Sequence, residues 1–188
     1  IVSVFQNRRW DGDFLTLQQL LHEGALGEVV ELHSHFDRFR PQVPDRWRDR
    51  AGPGAGLWYD LGPHLVDQAL QLFGPPLAVA ADLALQREGA QAVDYFHVQL
   101  RYARLRVLLH AGALVPGHGL RFAVHGSGGS WIKHGLDPQE DALRAGADLV
   151  PDRTRIISAA DPDTAAELGG LALARTSEAM GKITDVIQ

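Results

Sequence analysis

The chain of 188 residues contains no cysteine, one methionine and no long hydrophobic run. Without cysteine, the protein has no disulfide, no thiolate nucleophile and no cysteine-ligated zinc. No apolar stretch approaches the roughly 20 residues that a transmembrane helix needs, and no charged start leads into an apolar signal segment. We therefore expect a cytoplasmic protein that has no membrane partner.

Positively charged residues are also fewer than negatively charged ones. The sequence has 18 lysines and arginines against 23 aspartates and glutamates, for a net charge of -5. A nucleic-acid-binding surface calls for a clustered basic excess, so we expect no nucleic-acid partner. The hydrophobic fraction of 45% is typical of a folded chain, and the length is that of one domain.

Hydrophobic periodicity predicts an α+β fold. Residues Asp11–Glu23 and Leu57–Phe73 have helical patterns, whereas Glu28–Phe39 alternates with period two and places His33 and His35 on its polar face. Further strands are predicted at Leu77–Arg87, Val93–Tyr102, Leu105–Ala113, Leu120–His125 and Ser130–Lys133. Short links between them favour antiparallel pairing. We expect a largely antiparallel open sheet with helices packed on one face. Pro138–Ala145 and Asp161–Met180 are predicted to be helical.

The stretch from Trp58 to His64 is the most informative about chemistry. Asp60 and His64 are four residues apart, so they project from the same helix face. A carboxylate beside an imidazole can orient the ring and raise its basicity, which suits a general acid/base pair. The alternative is that Asp60 merely caps the start of the helix.

Nine histidines invite a metal hypothesis, because His33 and His35 share a strand face and the pair on the helix could complete a site. Spacing selects no third or fourth ligand, so we expect no metal. We expect His33, His35, Tyr95 and His97 to lie on an interface-forming sheet face. The glycines of Gly126–Ser130 lie between two strands, which predicts a hairpin turn and not a phosphate-binding loop.

Five blocks of sequence occur in the order of a known family: NRRWDGDF, FDRFRP, LWYDLGPHLVDQ, VDYFH and IKHGLDPQED. They resemble the second half of Gfo/Idh/MocA oxidoreductases, and in particular the scyllo-inositol dehydrogenase-like, NADP-using branch. The resemblance runs from residue 1 to about residue 148. Residues 149–188 form a divergent tail that contains no tyrosine or tryptophan.

The resemblance implies a dihydrodipicolinate-reductase-like C-terminal domain, and residues 1–188 would be the substrate-binding and oligomerisation domain of a chain about twice as long. The family's N-terminal Rossmann domain, which would bind NADP or NAD, is absent from this chain. The fragment alone is therefore expected to be inactive and to contain no cofactor-binding residues. A homodimer or homotetramer is expected to form through the open sheet face.

The same resemblance assigns the site residues. His64 matches the acid/base histidine and Asp60 the aspartate that shares the substrate hydroxyl with it. Substrate-binding positions are assigned to Arg8, Arg40, Tyr59 and His118. The implied activity is NAD(P)-dependent oxidation of a hydroxyl on a polyol, an inositol or a sugar by hydride transfer. The alternative is a non-catalytic oligomerisation or ligand-binding module on the same scaffold.

Overall fold

The structure is a computed structural model that describes residues 5–116, 119–137 and 154–158. Contacts between Cα atoms divide the chain into two compact units, Val30–Ala123 on the one hand and Ile1–Val29 with Val124–Gln188 on the other. In the described part of the chain, no helix combines the length and the hydropathy that crossing a bilayer requires.

Helices and strands follow one another in an α+β order. Short 3-10 helices lie at Asn7–Trp10 and Trp47–Asp49, and the α-helices are α1 (Gly12–His22) and α2 (Leu57–Phe73). The strands are β1 (Val29–His35), β2 (Ala78–Ala84), β3 (Tyr95–Arg101), β4 (Arg106–Gly112), β5 (Leu120–Gly126), β6 (Gly129–His134) and β7 (Thr154–Ser158).

Four strands of the unit Val30–Ala123 are arranged in the order β2-β3-β4-β1. The pairs β2–β3 and β3–β4 are antiparallel, whereas β4 and β1 are parallel. A parallel pair requires a long crossover connection, and the segment that includes α2, β2 and β3 provides it. β2 is mostly exposed along its length, as suits an edge strand.

Helix α2 covers one face of β3 and β4. Its residues Leu61, Leu65 and Ala69 repeat every four positions and are all buried, which is the apolar stripe that the sequence pattern predicts. The strands contribute a second buried row: Phe96, Val98, Leu100, Val107, Leu109 and Ala111. Side chains alternate along a strand, so the other sheet face carries the polar residues of β3 and β4.

A buried arginine lies in the same unit. The guanidinium of Arg121 donates to the Ser34 hydroxyl (2.9 Å), to the carbonyl of His35 (3.2 Å) and to Gln68 Oε1 on α2 (3.1 Å). It also lies 3.9 Å from the centroid of the Phe122 ring. These contacts compensate for the removal of the cation from water, and they link α2 to β1 and to the start of β5.

The other unit contains α1, the end of β5, and the strands β6 and β7. Helix α1 ends in a Schellman motif, because Gly24 N–H bonds the carbonyl of Leu21 and Ala25 N–H bonds that of Leu20. Asp11, the residue before α1, makes no capping hydrogen bond with its side chain. Instead, the Gly12 amide donates to the carboxylate of Asp137 at 2.8 Å, a partner 125 residues away that local sequence could not indicate.

The predicted α+β fold with an open, largely antiparallel sheet is confirmed. Helix α2 has the predicted bounds, and the ends of each of the six predicted strands lie within four residues of the observed ends. The Gly126–Ser130 segment is the predicted hairpin turn. Strand β7 lies in the divergent tail and pairs antiparallel with β6. It was not predicted. The predicted helices at Pro138–Ala145 and Asp161–Met180 lie outside the described residues.

Candidate active site

The start of α2 is fixed by close backbone contacts. Gly56, the residue before the helix, has φ +89°, and its amide donates to the carbonyl of Arg48 at 2.8 Å. The next amide, that of Leu57, donates to the carbonyl of Val93 at 2.7 Å. A Cβ atom on Gly56 would lie 2.7 Å from the Val93 carbonyl oxygen. Only glycine allows the helix to begin this close to the strand that follows Val93.

Trp58, in the first turn of α2, holds the helix on the sheet. Its ring meets that of Phe96 edge-on at a centroid distance of 5.2 Å. One turn later, a Cβ atom on Gly62 would lie 2.6 Å from the Trp58 ring, so the glycine leaves room for the indole. The next residue, Pro63, lacks an amide hydrogen and cannot donate to the Tyr59 carbonyl four residues earlier. The sequence motif WYDLGPH is thus a packing motif as well as a chemical one.

A small pocket opens beside the first turn of α2. Asp60 and the predicted substrate-binding Arg40 both line it, and four more arginines share the wall: Arg38, Arg46, Arg48 and Arg87. Its cavity volume is about 60 Å³. Most of the residues that line the pocket are charged.

A buried ion pair organises the wall of this pocket. The carboxylate of Asp94 accepts hydrogen bonds from the amides of Gln86 (2.6 Å) and Arg87 (3.0 Å), and from Arg87 Nε (2.9 Å). The Arg87 guanidinium also donates to Asp49 Oδ1 at 3.2 Å and to the carbonyls of Arg40 and Gln42. A buried charge needs such complete pairing, and here the pairing fixes the loop that precedes α2.

Asp60 contacts an arginine and not the histidine that the sequence pairs with it. Arg48 Nη1 donates to Asp60 Oδ1 at 2.7 Å, a distance typical of a strong charge-assisted bond. Among the described residues, the Asp60 carboxylate makes no hydrogen bond with His64. The structure thus pairs Asp60 with Arg48, and the role of Asp60 beside His64 stays a prediction. Four-residue spacing puts both on one helix face, but Arg48 is the nearer charge.

His64 lies one helical turn beyond Asp60 and is half-buried, with its Nδ1 atom shielded from solvent. Tyr59, also on α2, is 61% exposed. Arg8 belongs to the other unit, in the 3-10 helix Asn7–Trp10, where it pairs with Asp11 at 3.5 Å. His118 lies outside the described residues. The structure therefore brings Asp60 and Arg40 to one pocket, and places His64 and Tyr59 on the same helix.

Sequence reasoning did not select Arg48, although its segment was visible as an arginine-rich loop before a glycine cluster. The sequence signal for Arg87 was weaker, because Arg87 is only the last residue of a predicted strand. Its position in the wall of the pocket depends on its ion pair with Asp94. Contacts across 38 to 47 residues of chain depend on the fold, so spacing alone could not reveal them.

The uncovered face of the sheet carries a row of polar rings. His35 on β1, His110 on β4 and His97 on β3 occupy directly paired positions, with ring centroids 5.0 Å and 5.6 Å apart along the row. Tyr95 packs edge-on against His110 at 5.2 Å. Desolvation lowers the pKa of His110 below its usual range, and this outweighs the opposite effect of Asp37.

Comparison with known proteins agrees with this fold. A family model described as the GFO/IDH/MocA C-terminal domain matches residues 14–132. The chain belongs to the GFO/IDH/MocA family. The oxidoreductase YdgJ of Escherichia coli, itself named as uncharacterized, is 59% identical over 149 residues, which are 79% of this chain and 43% of that protein.

Two further relatives support the assignment. The scyllo-inositol 2-dehydrogenase (NADP(+)) IolW of Bacillus subtilis is 49% identical over 146 residues, 78% of this chain and 41% of that protein. The solved structure of yvaA from Bacillus subtilis, named as an oxidoreductase, has a TM-score of 0.77 at 44% identity and covers 84% of this chain and 48% of its own. The chain spans less than half the length of the curated relatives that it matches.

The close backbone contact at the start of α2 predicts different losses of stability when two glycines of the same loop are replaced by alanine. Gly56→Ala should lower the free energy of unfolding by at least about 3 kcal/mol, because left-handed strain and a backbone clash with Val93 add together. Gly54→Ala is the matched control: φ is +77° there, but nothing lies within 4 Å of the new Cβ atom, so strain alone should cost about 1 kcal/mol. Urea unfolding measures both losses, and equal losses would contradict this account of how α2 begins.

Proposed function

We propose that this chain is the substrate-binding and catalytic half of an NAD(P)-dependent dehydrogenase that oxidises a hydroxyl of a polyol, an inositol or a sugar. The observation that carries the proposal is the placement of Asp60 and His64 on one helix whose first turn faces a polar pocket. The 49% identity to a protein named as an NADP-dependent scyllo-inositol dehydrogenase supports the substrate class.

His64 is the proposed general base. An imidazole changes its charge near neutral pH, so it can accept the proton of the substrate hydroxyl while a hydride leaves the same carbon. Arg48 holds one oxygen of Asp60, which leaves Oδ2 to accept a hydrogen bond from that hydroxyl. In this proposal, Asp60 positions the substrate and His64 moves the proton.

The nicotinamide cofactor supplies the hydride acceptor in this chemistry. The described residues do not fit the diphosphate of such a cofactor, because the glycine cluster at 126–130 lies in a hairpin turn and precedes no helix. Cofactor binding is therefore assigned to residues outside the described part of the chain. The residues described here act on the hydroxyl.

The arginines of the pocket fit a substrate rich in hydroxyl groups. A guanidinium presents five N–H donors, and Arg87 and Arg48 are already engaged by carboxylates. Arg40 also lines the pocket, and we propose that its side chain donates to hydroxyl oxygens of the substrate. The exposed phenol of Tyr59 is proposed to contact the same ligand.

A variant of His64 tests the catalytic assignment in the full-length gene product. His64→Ala should lower kcat for NADP reduction with a cyclic polyol by about 10²-fold or more, as the loss of a general base does. His22→Ala, which removes an exposed histidine at the end of α1, should leave kcat unchanged. An unchanged kcat for His64→Ala would contradict the assignment of His64 as the general base. It would favour the alternative, a non-catalytic oligomerisation or ligand-binding module.

We further propose that copies of the protein associate through the uncovered sheet face as a homodimer or homotetramer. Its polar rings are part-buried, and the register of the edge strand β2 places the exposed Ala80 and Asp82 on the same face. Light scattering of the full-length protein should give two or four times the chain mass, and His97→Glu should shift the mass toward the monomer. A monomeric mass at high concentration would overturn this proposal.

A further inference from the structure

We propose that His35, Asp37 and His110 form a binding site for a divalent transition metal of the zinc class. From the sequence we expect no metal, because spacing alone selects no complete ligand set. The proposal does not rest on the dehydrogenase activity proposed above, since it concerns the sheet face opposite α2. Imidazole nitrogens and a carboxylate oxygen are the ligand types that zinc takes in three-ligand sites.

Strand pairing brings the three ligands together. His35 and His110 are direct partners in the parallel pair of β1 and β4. Asp37 follows β1 by two residues and therefore points to the same side as His35. One ligand atom from each residue lies within 4.8 Å of the other two. The fold thus brings His110 beside His35 and Asp37, which precede it by 75 and 73 residues in the sequence.

The separations between the ligand atoms suit a tetrahedral metal. His35 Nδ1 lies 3.2 Å from Asp37 Oδ2, and His110 Nε2 lies 3.3 Å from Asp37 Oδ1. Ligands at about 2.0–2.1 Å from zinc are about 3.3 Å apart at the edge of a tetrahedron. Each nitrogen therefore lies at about the edge distance from one oxygen of Asp37, but from a different oxygen in each case, so binding through a single oxygen requires the carboxylate to turn.

The Asp37 carboxylate is fixed by a backbone hydrogen bond and lies beside two glycines. The Gly112 amide donates to Asp37 Oδ1 at 3.0 Å, which fixes the acid from the end of β4. A Cβ atom on Gly112 would lie 3.7 Å from His110 Nε2 and 3.8 Å from Asp37 Oδ1. A Cβ atom on Gly119 would lie 3.7 Å from Asp37 Oδ2. Glycines therefore line the space beside the ligand atoms, where larger side chains would crowd an ion.

Burial of the three ligands is partial. The side chains of His35, Asp37 and His110 are 19%, 8% and 14% exposed, so they are shielded from bulk water but reachable from it. Three protein ligands leave the fourth tetrahedral position to a water molecule. The bound ion would join the chain after β1 to β4 and so stabilise the parallel strand pair.

The rival interpretation is a pair of imidazoles that donate hydrogen bonds to Asp37 without any metal. Charge-assisted bonds between nitrogen and a carboxylate are typically about 2.7–2.9 Å, as between Arg48 and Asp60, and both separations here are longer. At 3.2 Å the contact of His35 with Asp37 is still within hydrogen-bond range, so zinc titration decides between the two interpretations.

Titration calorimetry with zinc chloride tests the site on the full-length protein, purified without a histidine tag and treated with a chelator. We expect one zinc ion per chain. His35→Ala and His110→Ala should each weaken zinc binding by at least about 100-fold, since losing even outer-shell partners of a metal site costs about 10- to 100-fold. Cobalt substitution should give the strong visible absorption of a tetrahedral site.

His33→Ala is the matched control, because His33 stacks on His35 with a centroid distance of 6.0 Å but contributes no ligand. Its affinity for zinc should equal that of the unaltered protein. Circular dichroism of each variant separates a lost ligand from a lost fold. No zinc binding, or equal affinity in His35→Ala, His110→Ala and the unaltered protein, would overturn the proposal. In the second case the ion would bind elsewhere, for example at the carboxylates of Asp11, Asp13 and Asp137.

Discussion

The buried ion pair of Asp94 and Arg87 is the constraint on which the candidate site depends. Asp94 is wholly buried as a side chain, and removing one partner of such a pair costs about 3–5 kcal/mol. Arg87 in turn donates hydrogen bonds to Asp49 and to the carbonyls of Arg40 and Gln42, which restrains their loop. The loop fixed in this way presents Arg48, which in turn holds Asp60. The buried Asp94 carboxylate thus determines, through Arg87 and Arg48, where the Asp60 carboxylate lies.

The two faces of the sheet have different surroundings, and the alternation of side chains along β3 and β4 separates them. Phe96 and Leu109 face α2 and bury the helix that carries the proposed base. His97 and His110, their neighbours in sequence, face the other way into the row of rings. One strand pair therefore supports a candidate active site on one side and presents a candidate metal site and interface on the other.

Much of the fold could be predicted from the sequence, because period and turn residues are local signals. The apolar repeat in α2 and the alternation in β1 gave elements close to those observed. The resemblance to the family identified Asp60 and His64, and the family is confirmed. Contacts that depend on distant segments could not be predicted: the Asp137 cap on α1, the Arg48 partner of Asp60, and His110 beside His35. Each joins residues that only the tertiary fold brings together.

The central claim is that α2 presents Asp60 and His64 to one substrate hydroxyl. A crystal structure of the full-length protein with its nicotinamide cofactor and a cyclic polyol measures this directly. The account predicts that a ring nitrogen of His64 and Oδ2 of Asp60 both lie within about 3.2 Å of the same hydroxyl oxygen. A bound polyol whose hydroxyls contact neither side chain would contradict it.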